Sequence, residues 1–398
     1  MKAPHNRSLP DNRQEAPADS HPGTVGAFAR YFVFWRTTIA RDREMVEAVV
    51  QPDHVGPSHE LRTALERWPG VYYWSTGTDA NRLVLVRAIG RPQKERWWLH
   101  GILFLGTFFT VWMGGVWMGG ALLLDVPTST LQWFRSDDLH ALVANIADWA
   151  RASVGGLSFA MALMGILLSH EMGHYFAAKR YGINVSPPFF LPAPIEINFI
   201  GTFGAFIRLR SPVVDRRQLM DIGAAGPWVG FVISLVMLGV GLHQSFVIPA
   251  DHGAGMIVEF AQWRFGDSLL TLALRSLLVG EGTPVLHPLA VAGWVGMLVT
   301  ALNLLPLGQL DGGHIFYALF GDRQRYIGVL AWVGLVIMGA WFWPWWLLAA
   351  FILVLGGGRL AHPRVLEYRR PLPPSRRPLG WASILLLAAT FTPVPILI

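Results

Sequence analysis

Seven apolar runs dominate the chain, at about 99–124, 152–178, 219–243, 286–306, 326–342, 345–357 and 380–397. A helix needs about 20 apolar residues to cross a bilayer. The first four and the last approach or exceed that length. The runs at 326–342 and 345–357 are short and read together as a helical hairpin turning at Trp343 and Pro344. Trp97, Trp98, Trp341, Trp343, Trp345 and Trp346 stand at segment ends, where a membrane's aromatic belt falls. Charged residues make up only 15% of the 398, against about 25% in soluble domains. The expected fold is therefore a membrane α, polytopic helical bundle of about 6–7 transmembrane helices. The chain has no Cys, which excludes a disulfide framework and any thiolate nucleophile or ligand.

Residues 1–28 are polar, rich in Pro, Asn and Asp, and read as a disordered tail. No basic stretch followed by an apolar core opens the chain, so no cleaved signal peptide is expected. Residues 29–98 have the composition of a small cytosolic α+β domain. A helical stretch begins at Glu60, and strand-like runs follow at 71–74 and 83–87. Residues 99–398 form the membrane-embedded domain.

Basic residues set the orientation. The region before the first run holds 14 Lys and Arg, and the successive connections hold two, six, two, two and six. That alternation places 28 of 32 on one side, read as cytoplasmic, with the N-terminus there and the C-terminus outside. The expected host is a bacterial inner membrane. The 14 basic residues before the first run face 11 acidic ones with no recognition motif, so a nucleic-acid partner is excluded.

Residues 186–210 fit neither a membrane helix nor an ordinary loop. They are apolar, yet Pro187, Pro188, Pro192 and Pro194 forbid a helix. Irregular backbone at membrane depth is tolerated only beside protein or a water-filled cavity. A re-entrant, β-hairpin-like segment next to an aqueous site meets that condition. The competing reading is a cytoplasmic loop with scattered apolar residues.

His170, Glu171 and His174 spell HExxH at the end of an apolar run. On a helix the two imidazoles share a face and reach one metal, and the Glu lies beside the metal's water as general base. Ionisable groups at such depth are costly and functional by default. A catalytic zinc needs a third protein ligand. Glu196, in the Pro-rich segment, and Asp311, where a later run returns to the same side, are the two candidates.

Other conspicuous residues receive plainer readings. His54, His59 and Glu60 read as solvated polar groups, and His314 as an outer neighbour of the centre or a helix-start residue. The repeat around Trp112 and Trp117 reads as a small-residue packing face. Gly226 and Pro227 read as a helix start.

The pair of motifs, HEMGH at 170–174 and NLLPLGQLDGG at 303–313, resembles the site-2 protease family of intramembrane zinc metalloproteases. The stretches at 201–212 and 215–227 are similar to its EGY-like branch of plastids and bacteria. The resemblance implies one zinc ion per chain held by His170, His174 and Asp311, with Glu171 as catalytic base. It also implies that Asn303 holds the substrate backbone or the oxyanion. The implied partners are transmembrane protein substrates within the lipid bilayer, cleaved in or near their helices, and the oligomeric state stays open. An unwound substrate needs a strand to pair with, and Gly201, Thr202, Phe203 and Gly204 are the expected edge, by β-augmentation. The PDZ and nucleotide-sensing CBS modules common in the family are not seen. A transporter lined by polar residues, a non-proteolytic membrane scaffold, and a zincin whose last ligand is a Glu are the alternatives.

Overall fold

The computed structural model describes residues 28–40, 43–56, 58–68, 70–74, 81–88, 95–123, 139–210, 212–248, 256–257, 264–279, 282–365, 368 and 370–397. The chain divides into two compact units, Met1–Lys94 and Glu95–Ile398. All but the last residue of the tail read at 1–28 lies outside the described residues.

The first unit is α+β. Strands β1 (Phe32–Ala40), β2 (Arg43–Val50), β3 (Gly70–Trp74) and β4 (Arg82–Ala88) pair antiparallel in the order β1-β2-β4-β3. Helix α1 (His59–Glu66) starts at Ser58, whose hydroxyl accepts from the Leu61 N–H. Its Leu61 and Leu65 pack against Val46, Ala48, Val50, Leu83 and Leu85. Strands β1 and β2 were not anticipated. Their pattern is broken by charge, and Glu44 points to the buried face, where Arg87 across the sheet pairs with it. His54 bonds the Ser58 hydroxyl at 2.7 Å and packs edge-on against Tyr31, a structural rather than a metal-binding role.

The second unit is mostly helical. Helices α2 (Trp97–Leu123), α3 (Leu139–Arg180) and α4 (Arg216–Gln244) contain stretches of 22, 31 and 29 residues that are long and apolar enough to cross a membrane. The small-residue face is real. A Cβ on Gly115 of α2 would lie 2.7 Å from the Gly156 Cα of α3, so these backbones touch. Gly226 and Pro227, however, do not start a helix. Helix α4 begins ten residues earlier, where the Asp215 carboxylate caps the Gln218 N–H at 2.8 Å, and Pro227 lies inside it.

Between α3 and α4, strands β5 (Phe189–Pro192) and β6 (Thr202–Phe206) form an antiparallel hairpin. Its ends are clamped near the start of α2. Glu95 holds His100 at 2.9 Å and also pairs with Arg210, while His100 hydrogen-bonds the Pro188 carbonyl at 2.9 Å.

The runs at 286–306, 326–342, 345–357 and 380–397 each give a helix shorter than expected, and the helices after α4 are all short. They are α5 (Leu269–Leu278), α6 (Pro288–Asn303), α7 (Asp311–Phe320), α8 (Gln324–Met338), α9 (Pro344–Leu355) and α10 (Arg377–Thr390). At about 1.5 Å per residue the 16 residues of α6 reach roughly 24 Å. Helices α8 and α9 form the expected hairpin, tied by the Trp332 indole to the Ala349 carbonyl at 3.0 Å and the Trp346 indole to the Val336 carbonyl at 2.8 Å. The run at 380–397 is not one helix. It stops at Thr390, and β11 (Ile396–Leu397) joins a five-stranded sheet with β7 (Phe246–Ile248), β8 (Met256–Ile257), β9 (Arg264–Phe265) and β10 (Thr283–Val285). The C-terminal end thus lies with the connection between α4 and α6.

Candidate metal centre

Helix α3 carries His170 and His174 one turn apart on one face. Helix α4 packs against that face at the closest range glycine allows. A Cβ on Gly226 would lie 2.1 Å from the His174 Nε2, and one on Gly230 would lie 2.9 Å from the His170 Nδ1. From the α3 side, a Cβ on Gly173 would meet the Ala225 carbonyl at 2.7 Å. Three glycines therefore let two imidazoles fill the space between the helices. His170, Glu171 and His174 are all buried.

Asp311 is the first residue of α7. Its helix N-terminus favours a negative side chain, and the two glycines that follow it let α7 pack tightly on the preceding turn. A Cβ on Gly312 would collide with the Leu304 carbonyl and one on Gly313 with that of Gly308. The result brings an Asp311 oxygen 3.2 Å from the His174 Nε2 and 3.3 Å from the His170 Nε2. The two Nε2 atoms are 3.1 Å apart.

Those separations test whether a metal fits. Bonds of about 2.0–2.1 Å in a tetrahedron put neighbouring ligand atoms about 3.3–3.4 Å apart. The three side chains of this group, each offering one ligand atom, lie within 4.8 Å of one another. The donors are also aimed correctly. His174 bonds the Ile222 carbonyl through Nδ1 at 2.7 Å. A carbonyl only accepts, so Nδ1 bears the proton and Nε2 presents its lone pair. Two imidazoles and one carboxylate suit zinc and leave the fourth position open.

Glu171 is buried, and the backbone of Ile207, just beyond β6, faces its carboxyl. Asn303, at the C-terminal end of α6, puts its Nδ2 3.4 Å from the His170 Nε2. Glu196 is exposed in the turn of the hairpin and is not among the converging ligands. Gly201 (φ +83°) packs on α2, where the Thr110 hydroxyl donates to its carbonyl at 2.6 Å. Thr202 donates to the Leu191 carbonyl across the hairpin. Phe203 is exposed, and open space surrounds Gly204. Ile207 was missed by the sequence reading, because a backbone donor leaves no signature in residue type.

The profile of peptidase family M50 matches residues 158–338, which include every residue of the centre. A probable chloroplastic zinc metalloprotease EGY2 of Arabidopsis thaliana is 35% identical over 209 residues, covering 50% of this chain and 36% of that protein. A probable chloroplastic zinc metalloprotease EGY1 of Oryza sativa subsp. japonica is 32% identical over 252 residues, covering 61% of this chain and 42% of that protein. The chain thus spans well under half the length of these relatives. No solved structure matches it. On the match and on the geometry together, residues 158–338 are similar to peptidase family M50, and the converging side chains lie within that stretch.

Proposed function

We propose that the chain is an intramembrane zinc endopeptidase that hydrolyses peptide bonds in or near the transmembrane helices of other membrane proteins. The observation that carries this reading is the convergence of His170, His174 and Asp311 beside Glu171 at the end of an apolar helix.

Zinc held by these three ligands would supply Lewis acidity to the scissile carbonyl and to the attacking water. Glu171 takes the proton from that water and returns it to the leaving amine. Asn303, beside His170, donates its amide N–H to the carbonyl oxygen as negative charge develops there. Strand β6 lies in a two-stranded sheet, so one of its edges has no partner in that sheet. Its chain runs on to Ile207 at the Glu171 carboxylate. A substrate unwound into a strand along Gly201, Thr202, Phe203 and Gly204 would have its backbone led to the base.

In this reading residues 29–98 are a separate cytosolic domain and 99–398 the protease domain, with six or seven crossings and a re-entrant hairpin at 186–210. The basic residues support a cytoplasmic N-terminus and a centre near the cytoplasmic face. We place the chain in a bacterial inner membrane, while the relatives above are named as chloroplastic. Glu171→Gln tests the reading. The variant should retain stoichiometric zinc and lose cleavage of a single-span substrate by about 10²–10⁴-fold. Normal cleavage by it would overturn the assignment.

A further inference from the structure

The turn that presents Asp311 is held from outside by a stretch of chain about 50 residues further on. Gln324, the first residue of α8, is 1% exposed and uses both ends of its amide. Its Nε2 donates to the Pro306 carbonyl at 2.9 Å and reaches the Leu360 carbonyl at 3.4 Å. Its Oε1 accepts from the His362 N–H at 2.9 Å. The Leu360 carbonyl also accepts from the Gly308 N–H at 3.0 Å. His362 then closes the circuit, with its Nε2 2.7 Å from the His314 Nδ1 on α7, one turn beyond Asp311. The His362 ring also stacks on Tyr317 at 4.7 Å.

A buried amide is costly unless its donors and acceptor are all used. Here they join α8 to the 304–310 turn and to the 360–362 stretch, and His362 carries the link on to α7. The same stretch runs into a strap whose arginines bind acids of α4. Arg370 reaches Asp215 at 3.2 Å, and Arg376 reaches Asp221 at 2.7 Å. Helix α4 is the element that packs against both histidines.

We propose that Gln324 and His362 are positioning residues that fix Asp311 against the two histidines, so that the 360–362 stretch sets the metal affinity of a centre it does not touch. The inference rests on the zinc reading above. Groups that orient ligands in this way typically account for about 10–100-fold in metal affinity.

The test uses the full chain, purified in detergent, with zinc affinity read by competition against a chelating dye. Cobalt(II) substitution reports the ligand geometry through its visible bands. Gln324→Met keeps the volume and removes the three bonds, and His362→Ala removes the contact with His314. Both should weaken zinc binding by about tenfold or more and alter the cobalt bands. His362→Gln can place an amide near the position of the imidazole Nε2 and should recover most of the affinity. Unchanged affinity and unchanged bands in both disruptive variants would overturn the proposal.

A measurement on the wild type covers the case in which a variant fails to fold. Adding zinc to the metal-free chain should slow amide exchange at 304–312 and at 360–362 together. Protection of the first segment without the second would overturn the proposal. A wild-type chain that takes up no zinc would remove the zinc reading itself. Tight zinc binding that ignores the 360–362 stretch would remove only this inference.

Discussion

His174 gives its Nδ1 proton to the carbonyl of Ile222, 2.7 Å away on the neighbouring helix. This one bond fixes the tautomer, aims the Nε2 lone pair at the centre and ties α3 to α4. The carbonyl sits in the turn just before Pro227, whose ring crowds that turn and offers no N–H to the Gly223 carbonyl. Pro227 thus removes the helix bond of the Gly223 carbonyl, the next along the chain from Ile222.

The glycines of α4 should rank by the space they leave. Gly226→Ala places a methyl 2.1 Å from the His174 Nε2 and should abolish zinc binding. Gly230→Ala meets His170 at 2.9 Å and should weaken binding less. Gly239→Ala, on the same helix with open space around it, should be silent. Metal content per purified chain reads all three, and equal effects would show that helix propensity rather than steric overlap is at work.

Asp311→Ala should leave two imidazoles and cost the chain its zinc. Glu196→Gln should change nothing, because Glu196 is exposed in the hairpin turn. Zinc retained by the first variant and lost by the second would restore Glu196 as the third ligand.

Asn303→Ala should keep zinc and lower kcat far more than it raises KM. A donor that acts only on developing charge is worth about 10²–10³-fold. Steady-state kinetics on a fluorogenic peptide would separate this from a binding role, in which KM alone would move.

Glu95 should carry an acid-sensitive share of stability. Burial pushes its carboxyl up, but His100 and Arg210 outweigh burial and hold it below its ordinary value. The stabilisation is complete above the unfolded value of about 4.3 and is lost as pH falls through the lower folded one. Melting temperatures between pH 3.5 and 6 should fall more steeply for wild type than for Glu95→Gln. Parallel profiles would mean that the clamp contributes nothing.

How much of this was legible depended on what each feature looks like in sequence. His170, Glu171 and His174 stood out, because ionisable groups are rare in apolar runs and their spacing is that of the helix repeat, whereas Asp311 stood beside Glu196 as one of two candidates until the resemblance singled it out. The hairpin at 186–210 was legible from its prolines alone. Helix α7 was legible only as a possible helix start at His314, and the reason for Gly312 and Gly313 is seen only in their close approach to the Leu304 and Gly308 carbonyls. Pro227 misled for a related reason. Proline is common at a helix start and costs about 3 kcal/mol inside one, and it is its neighbour Gly226 that packs on His174. Strands β1 and β2 were hidden by Glu44, a charge that points inward because Arg87 meets it there.

His174 and Asp311 are 137 residues apart along the chain. At a synthesis rate of about 5–20 residues per second, the second follows the first by roughly 7–27 s. During that interval the nascent chain holds both imidazoles and the glutamate base but lacks the carboxylate that completes the donor set. On the zinc reading, hydrolytic competence is therefore withheld until α7 emerges, and the membrane's insertion machinery meets only an inert half-site.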